Sequence, residues 1–233
     1  GAPLTPIFHK LIANKDKFRL PIAFLNLGGI ANWTYIGKNN YRQDLQSSDA
    51  GPANCLIDQW MKKKANLRYD KNGKTASSGK INKHILEKAI NNLINEFTLE
   101  NGSKDSYFLT KNKTYDIKDF DLSFVNSLSL KDGAATLTEY TAVIISEFIK
   151  TMPRVKEIIV CGGGRKNKFF LRQISNKIKY KLVPIDNYGI NGDFVESQAF
   201  AYLAIRSYLK LPISFPGTTG CIKPTTGGVI IRN

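Results

Sequence analysis

Cysteine and histidine are scarce in this 233-residue chain, with three of the first and two of the second. The cysteines, Cys55, Cys161 and Cys221, are far apart and odd in number. That excludes a disulfide framework, and with only two histidines it leaves no basis for a Cys/His zinc cluster. Methionine and tryptophan appear twice each. No apolar run approaches the roughly 18 residues that a membrane-spanning helix needs. No basic stretch followed by an apolar one opens the chain, so a secretory signal finds no support. These absences together predict a reduced, cytoplasmic, soluble protein with no metal centre of its own.

Acidic residues are also under-represented. Lys plus Arg number 34 against 19 Asp plus Glu, for a formal charge of +15 and a pI near 9.7. Such a charge invites a nucleic-acid reading. The excess is lysine (26) rather than arginine (8), however, and isoleucine (25) and asparagine (20) are inflated beside it. An AT-rich coding sequence imposes that bias on neutral surface positions. Base readout favours arginine, the lysines are scattered, and no nucleic-acid motif appears. No nucleic-acid partner and no membrane partner are therefore expected. Hydrophobic residues at 42% exclude wholesale disorder, and the length suits one large domain.

A short helix is predicted before Arg19. Pro21–Asn26 reads as a strand, Leu27–Ile30 as a glycine turn, Ala31–Ile36 as the returning strand and Tyr41–Ser47 as a third. A turn at Asp49–Pro52 leads into a helix over about 53–65. Asp70–Gly79 reads as a polar loop, and Lys83–Phe97 as an amphipathic helix by its apolar spacing. Leu99–Asp119 is a polar excursion. Then helices (Ala134–Met152, Arg165–Ile178, Asp193–Leu209) alternate with strands (Glu157–Cys161, Lys181–Ile185). The pattern argues an α/β fold in which an antiparallel meander precedes helix-linked strands.

Two glycine turns are candidates for phosphate contact. Asn26–Asn32 (NLGGIAN) lets backbone approach a ligand, although a plain hairpin turn also uses glycine. Val160–Gly164 (VCGGG) joins a strand to a helix, where backbone amides can meet phosphates. A Rossmann reading competes there, with Asp186 as the ribose acid, but Asn167 stands where the third glycine belongs. Gly73–Lys80 (GKTASSGK) mimics a P-loop with one residue too many and no preceding strand. Asp49 and Glu196 lie at element ends. Each suits either a helix terminus or a cleft-facing acid. Ala135–Thr138 reads as a helix opening. His9 and His84 read as structural or exposed, and Trp33 and Trp60 as core.

Eight blocks in order resemble the anhydro-N-acetylmuramic acid kinases: GAPLTPIFH, NLGGIANWT, DAGPANCLIDQW, YDKNGKTASSGK, AATLTEYTA, IVCGGGRKN, GDFVESQAFAYLA and LPISFPGTTG. The resemblance implies an actin/hexokinase-like ATPase lobe, ribonuclease H-like, with a mixed sheet, an antiparallel meander and flanking helices. It implies ATP and Mg2+ as cofactors and anhydro-N-acetylmuramic acid as substrate. The 1,6-anhydro ring is opened by water and the 6-oxygen phosphorylated, in peptidoglycan recycling. Asp49 matches the aspartate assigned there as general base. Gly28, Gly29 and Asn32 match the loop near the phosphates. Gly162, Gly163, Gly164 and Asn167 match the adenosine side, and Glu196 matches the acid near the sugar.

Four departures from the family pattern stand out. Ala50 and Ala53 alter the motif DTGPGN, removing a hydroxyl and adding a Cβ. Lys113-Thr114 stands for a Lys-Ser motif, with Ile117 where a basic residue is usual. Ser197 replaces an alanine. In the family, GAPL follows a complete N-terminal lobe. The expectation is thus a single C-terminal lobe over 1–233, with a helical excursion at about 81–120. A separate N-terminal lobe or a homodimer is the partner the resemblance suggests. Another sugar or acetate kinase of this fold, or a non-catalytic relic, stays open.

Overall fold

The structure, a computed structural model, describes residues 3–15, 18–38, 44–101, 114–229 and 231. Its centre is β1 (Ile22–Leu27), whose apolar residues point to both faces: Ile22, Ala23, Phe24, Leu25 and Leu27 are fully buried. A strand buried on two sides reads as a continuous apolar run. β2 (Ile30–Ile36) pairs antiparallel with it and β3 (Leu45–Pro52) antiparallel with β2. On the other side β4 (Ile158–Cys161) pairs parallel with β1, and β5 (Leu182–Pro184) parallel with β4. The order is β3-β2-β1-β4-β5, with β2 alone reversed. This is the mixed sheet of a ribonuclease H-like fold, and its antiparallel β1–β2–β3 meander rules out the Rossmann reading, which builds that half from parallel strands joined by helices.

Period-two alternation divides β1 between two cores. Ala23, Leu25 and Leu27 pack with Ile145 and Ile149 of α5 (Leu130–Thr151) and Phe170 of α6 (Lys168–Ser175). Ile22 and Phe24 pack with α1 (Pro6–Lys15) and with α7 (Val195–Tyr208) through Val195, Ala199 and Leu203. A third cluster joins α2 (Cys55–Ala65) and α4 (Lys83–Asn101) to the outer side of α5, and buries Trp60. Two four-residue helices, α3 (Lys74–Ser77) and α8 (Pro216–Thr219), complete the set. Among the described residues no helix is long and apolar enough to cross a membrane.

Several boundaries differ from the sequence expectation. The largest difference is at Asp49–Pro52, which is the end of β3 and no turn. Asp49 therefore cannot cap α2; Asn54 precedes that helix instead. Residues 135–138 lie inside α5, which starts at Leu130 behind an Ser129 cap. The hydroxyl of Thr136 accepts from the Asn82 N–H at 3.0 Å. Asp70–Gly79 is organised, because the buried Asp70 carboxylate accepts from the N–H groups of Thr75 and Ala76 at 2.8 and 2.9 Å. The P-loop mimic is thus α3 held from behind, with no strand leading into it. Part of the excursion at 99–119, residues 102–113, lies outside the described residues.

His9 of α1 is buried. Its Nδ1 lies 2.9 Å from the Thr34 hydroxyl, and its ring stacks on Phe24 at 4.7 Å. Burial holds its pKa down at about 4, so the folded chain binds this proton less readily than the unfolded one. Stability from that difference is present above about pH 6.5 and lost as pH falls toward 4, by up to about 3 kcal/mol. Urea unfolding at pH 7 and pH 4 is expected to show His9→Gln converging on the parent at the acid end. A gap unchanged with pH would contradict this.

Candidate active site

Ligands of open α/β sheets sit beyond the carboxyl ends of the parallel strands. β1 and β4 are parallel neighbours, with Asn26 opposite Cys161. Each runs directly into glycines: Gly28-Gly29 after β1, and Gly162-Gly163-Gly164 after β4. The pairing therefore sets the two turns side by side.

The glycines serve different ends. Gly162 has φ +76°, and a Cβ there would lie 2.4 Å from Asn26 Oδ1. A Cβ on Gly164 would lie 2.7 Å from that of Leu27. The fold itself demands glycine at these two positions. Gly163 meets nothing within 4 Å, and a Cβ at Gly28 or Gly29 would find only ordinary contacts, 3.5 Å or longer. None of the three has a positive φ. Internal packing gives no reason for glycine at 28, 29 and 163, and the backbone there is open to close approach from outside the chain.

The carbonyls of the first turn are all occupied. The N–H groups of Ala53, Asn54 and Cys55 donate to Gly28 and Gly29 at 2.9–3.1 Å, and Asn54 Nδ2 donates to Leu27 and Gly28. The N–H groups of Gly28, Gly29 and Gly163 donate no hydrogen bond within the described residues. Tied carbonyls and open amides in a turn make an anion-binding concavity.

Asp49 lies opposite Asn32 in the β2–β3 ladder, beside a bulge between Ala31 and Asn32. Bulges re-aim side chains. Its Oδ2 accepts from the Tyr115 N–H at 2.9 Å. Burial pushes its pKa up, and the Tyr115 bond opposes that.

A second anchor holds the other wall. Arg165, its side chain 3% exposed, follows the β4 glycines. It donates from Nε to Asp186 at 2.7 Å, from Nη2 to Asp193 at 2.9 Å and from Nη1 to the Gly162 carbonyl at 3.0 Å. A Cβ on Gly192 would strike its guanidinium. The guanidinium pulls the Asp186 pKa down to about 2. Asp186 is thus an ion-pair partner and no ribose acid. The clasp fixes the loop that leads into α7, whose first turn presents the exposed Glu196.

A cavity of about 490 Å³ results, lined among others by Gly28, Gly29, Asn32, Asp49, Gly162, Gly163, Glu196 and His9. A second, also about 490 Å³, is lined by Asn54, Asp58, Tyr69, Asn72, Gly163, Lys166 and Asn167. Gly163 borders both. Asn167 also caps α6, accepting from the Phe170 N–H at 3.0 Å. Gly164 lines neither cavity. In the second, burial and the nearby Asp70 push Asp58 up to about 6. Among the described residues no cluster of three or more His, Cys, Asp or Glu could hold a metal. Arg165, Tyr115 and the cavity-facing side of His9 went unnoticed in the sequence. Only the Arg in GGGR, directly after a strand, carried a readable hint.

The family model for anhydro-N-acetylmuramic acid kinase matches residues 1–233. This chain belongs to that family. The anhydro-N-acetylmuramic acid kinase of Pelagibacter ubique is 47% identical over 241 residues, covering 100% of this chain and 61% of the relative. That of Zymomonas mobilis is 40% identical over 231 residues, covering 99% and 59%. The chain thus spans about three-fifths of the length of these relatives. Among solved structures, the activator of the 2-hydroxyisocaproyl-CoA dehydratase from Clostridium difficile with bound ADPNP is a loose likeness. It has TM-score 0.46 and 13% identity over 77% of this chain and 58% of that one.

Two departures from the family motif fall outside the cavity. Ala50 and Ala53 are buried in the core with Leu25 and Ile145, so neither a lost hydroxyl nor an added Cβ reaches a ligand there. Ile117 lies beside Gly29, within 3.9 Å of where its Cβ would be. Ser197 donates to the Phe194 carbonyl at the start of α7. Lys113 is outside the described residues.

The division among the glycines is testable by urea unfolding. Gly162→Ala is expected to cost about 2 kcal/mol or more, and Gly163→Ala to stay within about 0.5 kcal/mol. Arg165→Met is expected to cost about 1.5–3 kcal/mol, the scale of hydrogen bonds to charged groups. Equal costs for the two glycines would refute the assignment.

Proposed function

We propose that this chain is the C-terminal lobe of an ATP-dependent anhydro-N-acetylmuramic acid kinase acting in the cytoplasm in peptidoglycan recycling. The observation that carries the reading is the pair of glycine turns with open amides facing Asp49 across one cavity. Triphosphate oxygens suit the amides of Gly28, Gly29 and Gly163, where the lack of a side chain leaves the backbone open to close approach. Because Gly163 borders both cavities, the nucleoside end would lie in the second, toward Asn167, and the sugar in the first, toward Asn32 and Glu196.

The chemistry asked of the residues is limited. A water hydrogen-bonded to Asp49 loses its proton to the carboxylate as its oxygen bonds to the anomeric carbon. The bond from that carbon to O6 breaks and leaves its electron pair on O6, which bonds to the γ-phosphorus of ATP as the bond to the β–γ bridging oxygen breaks and ADP departs. Burial raises the basicity of Asp49, which suits a proton acceptor. In-line phosphoryl transfer needs mostly positioning and charge neutralisation. Mg2+ arriving with ATP would neutralise phosphate charge while keeping phosphate oxygens and waters as its main ligands, which leaves Asp49 as the proton acceptor. His9, uncharged and held by Thr34, offers a neutral polar wall.

Complete turnover is proposed to require the remainder of the family protein, since phosphoryl transfer is clamped electrostatically from more than one side. Mg-ATP is expected to raise the Tm of this chain by several degrees. Gly163→Val should remove that rise while leaving the ligand-free Tm in place. In a protein of full family length that carries this sequence, Asp49→Asn should cut turnover about 10²–10⁴-fold. No thermal shift with ATP, or unchanged turnover in Asp49→Asn, would overturn the respective claim.

A further inference from the structure

The base proposed above is held from one side by a segment 66 positions away in sequence. That segment, Thr114–Asp119, borders the cavity beside the first glycine turn. Tyr115 lines the cavity, and Ile117 lies against Gly29. The segment is braced within itself. Asp116 accepts from the Lys118 N–H at 3.1 Å, and Asp119 accepts from the Asp116 N–H at 2.7 Å, a reciprocal cap on the turn Ile117–Asp119. It is anchored beyond by Phe120 and Leu122, both buried against the α2–α5 core. The ring of Tyr115 leans on that of Phe120 at 5.2 Å.

We propose that this strap is a positioning element for Asp49. The Tyr115 N–H fixes Oδ2 and so aims Oδ1 into the cavity as the atom that takes the proton. The physical need is plain. A carboxylate turns freely about its last bond, and proton abstraction requires one oxygen within hydrogen-bond reach of the water. One bond from a braced backbone amide stops that rotation without neutralising the charge, as a lysine would. Among the described residues Asp49 makes no other side-chain hydrogen bond or ion pair. The other ionisable groups lining the cavity are His9, Cys161, Arg165, Asp193, Glu196 and Tyr115 itself. Arg165 and Asp193 are spent on each other, and His9 is uncharged near neutral pH. Among the described residues the Tyr115 amide is thus the one hydrogen-bond partner that orients the Asp49 carboxylate.

The inference rests on the reading of Asp49 as proton acceptor, but its test does not require turnover. Amide exchange of the intact chain, followed by nuclear magnetic resonance, is expected to show the Tyr115 N–H slowed, and about tenfold faster in Asp49→Ala. The carboxyl carbon of Asp49 is expected to titrate about one pH unit higher in Tyr115→Pro, which lacks the N–H, than in the parent. In Tyr115→Ala, which keeps it, the midpoint should stay within about 0.3 pH unit. A merely structural role for Tyr115 would move both variants alike. Identical Tyr115 exchange in parent and Asp49→Ala overturns the proposal, even where the proline variant fails to fold. An intact tie without an ATP thermal shift would sink the kinase reading and leave the strap standing.

Discussion

The parallel pairing of β1 with β4 is the constraint on which the rest depends. Each strand alone ends in a glycine turn of no special meaning. The hydrogen bonds between them put the two turns in contact, close enough for Asn26 to exclude any side chain at Gly162. They also bury β1 on both faces, which requires α5 and α6 on one side and α1 and α7 on the other. α7 thereby brings Glu196 to the same cavity as Asp49. Site and core are products of one ladder.

What could be read from the sequence tracks how local the cause was. The strands β1 and β4 and the long helices declare themselves by apolar period, and the glycine turns by composition. Asp49 was visible as an acid near Gly-Pro, but its place on a strand was not. A proline and a glycine at 51–52 look like a turn until the ladder with β2 is known, and the edge position is what tolerates Pro52. The end of α5 was legible and its start was not, because the Ser129 cap precedes a stretch whose helicity comes from tertiary burial.

The site was less legible than the fold. Eight family blocks mark Asp49, Glu196 and the glycines as a set, but nothing in them separates Gly163 from Gly162 and Gly164. That distinction needs the positions of Asn26 and Leu27, which are remote in sequence. Arg165 and Tyr115 act on partners 21 to 66 residues away, beyond any periodicity. The charge of +15 is equally uninformative about the cavity, where Arg165 is already neutralised by two aspartates.

The Arg165 clasp has one more consequence. It ties the Gly162 carbonyl and the loop entering α7 to a single guanidinium. The wall formed by the β4 glycines and the start of α7 are thus one bracket. A shift of the glycine turn relative to that loop would have to break a charged hydrogen bond at Arg165, so the two walls hold each other's spacing.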